Sequence, residues 1–233
     1  MIMSKKILII IISCPIFIFP YSLSFAGETG SEGSSHASID LSCIYIKDRI
    51  SLQIVSGLLF SPTVLASQTV MMDYWQTNMR LGWMLTEIFQ KQSFLRGNFE
   101  ALFELSYSYI YKGPGHHLVG ITALLRHNFV QPEPRIAPYF QVGAGIVYTD
   151  AYKDPDSGIG QSIEFTPQGS LGLRFLINRQ VSLDAEAMFH HISNAGLAER
   201  NEGINAFGGF LGMTYFFHSP SLLRQHTHFE RTK

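Results

Sequence analysis

Two short stretches near the end of the chain carry side chains that can do chemistry. The first is His191-Ile192-Ser193-Asn194-Ala195-Gly196-Leu197 and the second is Asn201-Glu202-Gly203-Ile204-Asn205. A histidine two residues before a serine puts both side chains on one face of a β-strand, near enough for the imidazole to act as base toward the hydroxyl. Asn205 has the matching parity on the following segment, where it can orient that imidazole as the third member of a Ser-His-acid or Cys-His-Asn set does. The chemistry on offer is nucleophilic attack on an acyl group. Taken alone, the same residues also suit polar anchors at a strand end.

Other histidines offer less. His116-His117 and His190-His191 look like paired metal ligands, but consecutive strand residues point to opposite faces, so neither pair chelates from a regular strand. His218, His226 and His228 read as solvated residues of a polar tail. With Cys14 and Cys43 as the only cysteines, neither a disulfide scaffold nor a cysteine zinc cluster is available, and no metal or cofactor is expected.

The elements that must position these groups are strands. From Asn98 to Tyr111 a period of two separates Phe99, Ala101, Phe103, Leu105, Tyr107, Tyr109 and Tyr111 from Asn98, Glu100, Glu104, Ser106 and Ser108. Helical spacing would mix the two sets. The same split recurs over Ile163–Ile177 and Tyr139–Tyr148, and in weaker form over 50–60, 76–88, 117–129, 181–193 and 204–217. Eight strands of roughly ten residues, each with one continuous apolar face, are what a transmembrane barrel requires, because lipid and lumen alternate along every strand. The expected fold is all-β, an eight-stranded antiparallel barrel of the outer membrane, with Arg80, Glu100, Glu104, Arg126, Glu164, Arg174, Asp184 and Glu186 turned inward. A lipocalin-type soluble barrel is the alternative, with its apolar faces inward.

Composition agrees with a membrane body. The 233 residues carry 17 Lys+Arg against 18 Asp+Glu, only 15% are charged, and the mean hydropathy is +0.11. No basic excess exists for nucleic acid, and the chain is too apolar for disorder. Lys5 and Lys6 ahead of an apolar run, then Ser24 and Ala26, read as a secretory signal peptide over 1–26. Beyond it lie a lead-in over 27–49, Gly/Ser-rich over 27–37, the barrel over 50–217 and a polar tail over 218–233. No later run approaches the roughly 20 apolar residues of a spanning helix. An even-stranded barrel also predicts alternating short and long connections, here 178–180 against 61–75, 150–161 and 194–203.

On that strand pattern, His191, Ser193 and Asn205 emerge on the lipid-facing side near one rim, where polar groups mark function by default. The two stretches that hold them resemble the signature of the PagL family of outer-membrane lipid A 3-O-deacylases, strongly over 189–217 and more weakly, mainly in strand pattern and over Pro138–Gly145, elsewhere. The resemblance implies an active site on the barrel's outer surface toward the outer leaflet of a Gram-negative outer membrane. It implies lipid A of lipopolysaccharide as substrate and no metal. By position, Ser193 becomes the nucleophile, His191 the general base, and Asn194 with the Gly196 N–H the oxyanion donors. Where Asn205 stands, the family carries Glu. Three readings follow: Asn205 is a weaker orienter, Glu202 or Glu199 substitutes as the acid, or activity is reduced or lost. A phospholipid acyl hydrolase and a non-catalytic barrel remain as alternative functions, and a homodimer is left open.

Overall fold

A computed structural model describes residues 41–62, 70–90, 93–132 and 134–217. The expected signal peptide, residues 27–40 of the lead-in and the tail over 218–233 lie outside them. Nine strands form one sheet: β1 (Ile50–Phe60), β2 (Asp73–Met84), β3 (Gly97–Lys112), β4 (His117–Phe129), β5 (Ile136–Thr149), β6 (Ile163–Phe165), β7 (Gln168–Leu176), β8 (Val181–Ile192) and β9 (Ile204–Phe216). Each neighbour pair is antiparallel, and β9 pairs with β1 to close the ring. β6 and β7 are one stave. Their pairing with β5 keeps a single register, Gly143 opposite Gln168 and Ile146 opposite Phe165, across a gap at Thr166-Pro167. Proline has no N–H for the ladder, so the strand expected as continuous over Ile163–Ile177 is interrupted there without slipping. The barrel is thus eight-stranded, as its alternation predicts.

Strand ends depart from expectation in places. The strand expected over 76–88 runs over Asp73–Met84, because Asp73 pairs across to Lys112 while the chain turns away after Met84. Loop lengths alternate only in part. The connection over 85–96 is long although it shares a rim with the tight 177–180 turn, and 113–116 is short on the opposite rim.

The barrel is inside out relative to a soluble protein. Trp75, Met79, Leu81, Phe103, Leu105 and Leu171 are exposed, whereas Arg80, Arg126 and Arg174 are among the largest fully buried side chains. Only a surrounding apolar solvent makes that outer face favourable. Exposed rings gather at both ends of the strands, Trp75, Tyr109 and Tyr148 near one rim and Trp83, Tyr215 and Phe217 near the other, as at two membrane interfaces.

Three layers fill the interior. Mid-barrel, Arg80 bonds Glu104 at 2.6 Å and Glu186 at 2.7 Å, Arg126 meets Glu100 at 3.3 Å, and Arg174 bonds Asp184 at 2.9 Å. Every charge expected inward is buried. One end is capped by apolar residues including Leu59, Met72, Tyr74, Ile192, Ile204 and Phe210. At the other end the chain before β1 folds into the mouth. A 3-10 turn over Ser42–Tyr45 buries Ile44 and Tyr45 against Met84, Val130 and Phe216, and Arg49 donates to the carbonyls of Cys43, Arg179 and Phe217. Replacing Arg80 by Met strands two buried carboxylates. The expected loss is about 3–5 kcal/mol, seen as a lower midpoint for the heat-induced mobility shift of the folded barrel.

Candidate active site

β8 and β9 are direct neighbours, and their register sets His191 opposite Asn205 and Ile192 opposite Ile204. The two isoleucines are buried in the apolar cap, so alternation turns His191 and Asn205 outward. There the His191 Nδ1 and Asn205 Oδ1 lie 2.7 Å apart. With the amide oxygen accepting, Nδ1 carries the proton and Nε2 keeps a free lone pair, the tautomer a general base needs. Directly beneath, Phe189 and Phe207 hold their rings 4.9 Å apart on the same face. His190 points the other way, buried, with its Nδ1 2.6 Å from the Tyr74 hydroxyl.

Ser193 extends the outward parity of β8 by one step. Its backbone is fixed on both sides by Phe165, donating at 3.1 Å and accepting at 2.8 Å. The structure brings Ser193 to the same patch as His191 but records no hydrogen bond from its hydroxyl to the imidazole. Such bonds are commonly long before substrate arrives. Gly203 makes room for the ring: it is buried with φ +72°, and a β-carbon there would stand 3.1 Å from His191 Cε1.

The loop between the strands is built around Asn194, which is fully buried. Its Nδ2 donates to Arg200 O at 2.7 Å, its Oδ1 accepts the Gly196 N–H at 2.9 Å, and its own N–H reaches Asn201 Oδ1 at 3.0 Å. Both groups expected as oxyanion donors are therefore engaged with the loop itself. Left-handed backbone at Ala195 (φ +55°) and Gly196 (φ +84°) forms the exposed tip. Arg200, which sequence reasoning passed over, straps this loop to the next one by donating to the carbonyls of Tyr152, Asp154 and Pro155 at 2.7–2.9 Å. Glu202 donates its N–H to Gly158 O and lays its side chain against Gly158. Glu199 is exposed on the same loop. The group that meets the His191 Nδ1 is thus Asn205. Asn194→Ala leaves the Arg200 carbonyl and the Gly196 N–H without their partner. A destabilisation of about 1–3 kcal/mol is expected, read as faster proteolysis confined to residues 193–203.

Below the patch, a groove of about 560 Å³ on the outer face is lined by Ala185, Ala187 and Gly209 between Leu171, Leu173 and Leu211. Small residues on β8 and β9 leave a trough that the leucines wall. On the far side of this rim, Asp150 accepts the N–H groups of His116 and His117 and the His116 ring. Burial works against its charge, yet these donors hold its carboxyl below the usual carboxylate range. His117 bonds the Tyr107 hydroxyl. His116 precedes β4, so the opposite facing expected of consecutive strand residues does not apply to this pair, and the two exposed rings stand 6.2 Å apart.

The sequence profile of the family described as "Lipid A 3-O-deacylase (PagL)" matches residues 73–214, more than half of the chain. Lipid A deacylase PagL of Pseudomonas aeruginosa is 27% identical over 99 residues, covering 42% of this chain and 54% of that protein, so the match spans about half of that relative's length. The crystal structure of the outer membrane enzyme PagL superposes with a TM-score of 0.51 at 20% identity, covering 68% of this chain and 97% of that one. Neisserial surface protein A gives the same TM-score at 13% identity, covering 72% and 97%. The two superpositions establish the outer-membrane barrel fold, and the profile establishes the lineage: the chain belongs to the PagL family of lipid A 3-O-deacylases.

Proposed function

We propose that the chain is an outer-membrane esterase that removes the ester-linked hydroxyacyl chain at the 3-position of lipid A, with Ser193 as nucleophile, His191 as general base and Asn205 as the orienting group. The observation that carries this reading is the His191–Asn205 bond of 2.7 Å on the outward face of the barrel, above an apolar groove. A water-soluble ester would not need its site there; a substrate lying in the membrane does.

The steps follow from the groups present. Ser193 Oγ attacks the ester carbonyl as its proton passes to His191 Nε2, and Asn205 keeps the Nδ1 proton in place. The tetrahedral oxyanion forms beside the Ala195-Gly196 tip. The N–H of the exposed Gly196, held by Asn194 Oδ1, turns to it, while the buried Asn194, its amide engaged with Arg200 and Gly196, keeps the tip in shape. The imidazolium then protonates the departing sugar oxygen, leaving an acyl-serine. A water activated by His191 releases the hydroxy fatty acid and restores the hydroxyl. The groove along Ala185, Ala187 and Gly209 seats the acyl chain. Both chain ends of the barrel lie at the opposite rim, which supports placing the site at the outer leaflet.

One feature favours a second reading. A Ser-His-Asn set without an acid also suits a phospholipid acyl hydrolase. Purified protein in mixed micelles holding both lipid A and phosphatidylglycerol separates the two: release of 3-hydroxy fatty acid alone is expected, and release of phospholipid acyl chains with lipid A untouched transfers the site to the second reading.

A further inference from the structure

We infer that the rim carrying the two barrel ends holds a binding site for the phosphate of an anionic glycerophospholipid, gripped by Arg135 and Arg179. The two arginines sit on neighbouring connections, 130–135 and 177–180, and both line one cleft of about 490 Å³ with Leu41, Ile177, Asn178 and Gln180. Their backbones are fixed. The Arg135 carbonyl accepts the Leu176 N–H at 2.9 Å, and the Arg179 carbonyl accepts from Arg49 at 2.6 Å. Their guanidinium groups are not: both residues are exposed, and among the described residues no ion pair or side-chain hydrogen bond engages either head.

This contrasts with every arginine inside the barrel. Arg80, Arg126 and Arg174 are each matched to a carboxylate, and Arg49 and Arg200 are committed to carbonyls. Two arginines that line one cleft, with no partner for either head among the described residues, supply donors for phosphate oxygens, which Arg binds in bidentate fashion. Outward from the cleft, Ile136, Phe175 and Ile177 are exposed on the lipid-facing surface, so a phosphate held in the cleft would have apolar wall beside it for its acyl chains. The charge of the two rims fits the same occupant. Among the described residues of the connections, Lys47, Arg49, Arg96, Arg135 and Arg179 outnumber Asp48 and Glu87 at this end, whereas Asp150, Asp154, Asp156, Glu199 and Glu202 outnumber Lys153 and Arg200 at the end bearing His191. A basic rim at the membrane surface selects anionic headgroups.

The test is native mass spectrometry of the full chain released from micelles doped with equal phosphatidylglycerol and phosphatidylcholine. The readout is intact retained lipid, independent of any ester hydrolysis. Wild type is expected to retain phosphatidylglycerol over phosphatidylcholine by about tenfold, and Arg135→Gln with Arg179→Gln to bring that ratio near one, while Lys153→Gln on the opposite rim keeps it. The folded mobility shift confirms the barrel in each variant. Equal retention of both lipids by wild type overturns the site, and that result needs no variant. So does a preference that survives the double substitution, or displacement by glycerol 3-phosphate as effective as by phosphatidylglycerol, since the apolar wall would then contribute nothing.

Discussion

Ser193→Ala is expected to lower the rate of acyl release from lipid A by on the order of 10⁴-fold or more, with the barrel intact. The size follows from what the substitution removes. The outward positions of β8 and β9 beside His191 are Phe189, Asn205 and Phe207, none of which carries a hydroxyl, and without the nucleophile only the groove and the loop N–H groups act on the ester. Folding is expected to be unaffected, because Ser193 is held through its backbone to Phe165 and not through its hydroxyl. Release of hydroxy fatty acid, followed by mass spectrometry against time, measures the drop, and the heat-induced mobility shift checks the fold. A fall of only a few-fold would mean that Ser193 positions substrate and that the nucleophile is elsewhere.

Asn205 gives the second large effect, in both directions. Asn205→Ala removes the acceptor on His191 Nδ1, which frees the ring to rotate and to change tautomer, and a loss of roughly 10²-fold in turnover is expected. Asn205→Glu keeps an acceptor at the same place and adds a full negative charge toward the imidazolium that forms in the transition state. A gain of about tenfold is expected. Saturating turnover of the two variants beside wild type decides the matter. If Asn205→Ala is silent while Glu202→Gln abolishes turnover, the orienting role belongs to the loop carboxylate, despite its place against Gly158.

Much of the fold was legible because a barrel strand has the simplest periodicity in proteins. With a period of two, one decision about parity in a strand such as Asn98–Tyr111 assigns every side chain to lipid or lumen, and all eight charges read as inward are buried. The same parity set His191 and Asn205 on one outward patch, and the β8–β9 register then made them direct partners. What stayed hidden depends on contacts that no local pattern carries. Arg200 reaches back 45–48 residues to the carbonyls of the neighbouring loop. The sequence does place Asn194 in a motif, but only the folded loop reveals that its amide is spent on Arg200 and Gly196. Residues 41–49 read as lead-in because Leu41, Cys43, Ile44, Tyr45 and Ile46 fall on both parities and so separate no two faces. Their burial of Tyr45 beside Phe216 is a tertiary event spanning nearly the whole barrel. Pro167 interrupts the strand read as continuous over Ile163–Ile177, yet the pairing of both pieces with β5 keeps the register.

Central to the proposed function is a lipid-facing serine that acts on lipid A. The measurement that tests it most directly is mass spectrometry of lipid A extracted from cells expressing the chain, with Ser193→Ala cells beside them. The prediction is a species lighter by one hydroxyacyl group with the wild-type chain and unmodified lipid A with Ser193→Ala. Unmodified lipid A from both, with each protein folded in the outer membrane, would contradict it.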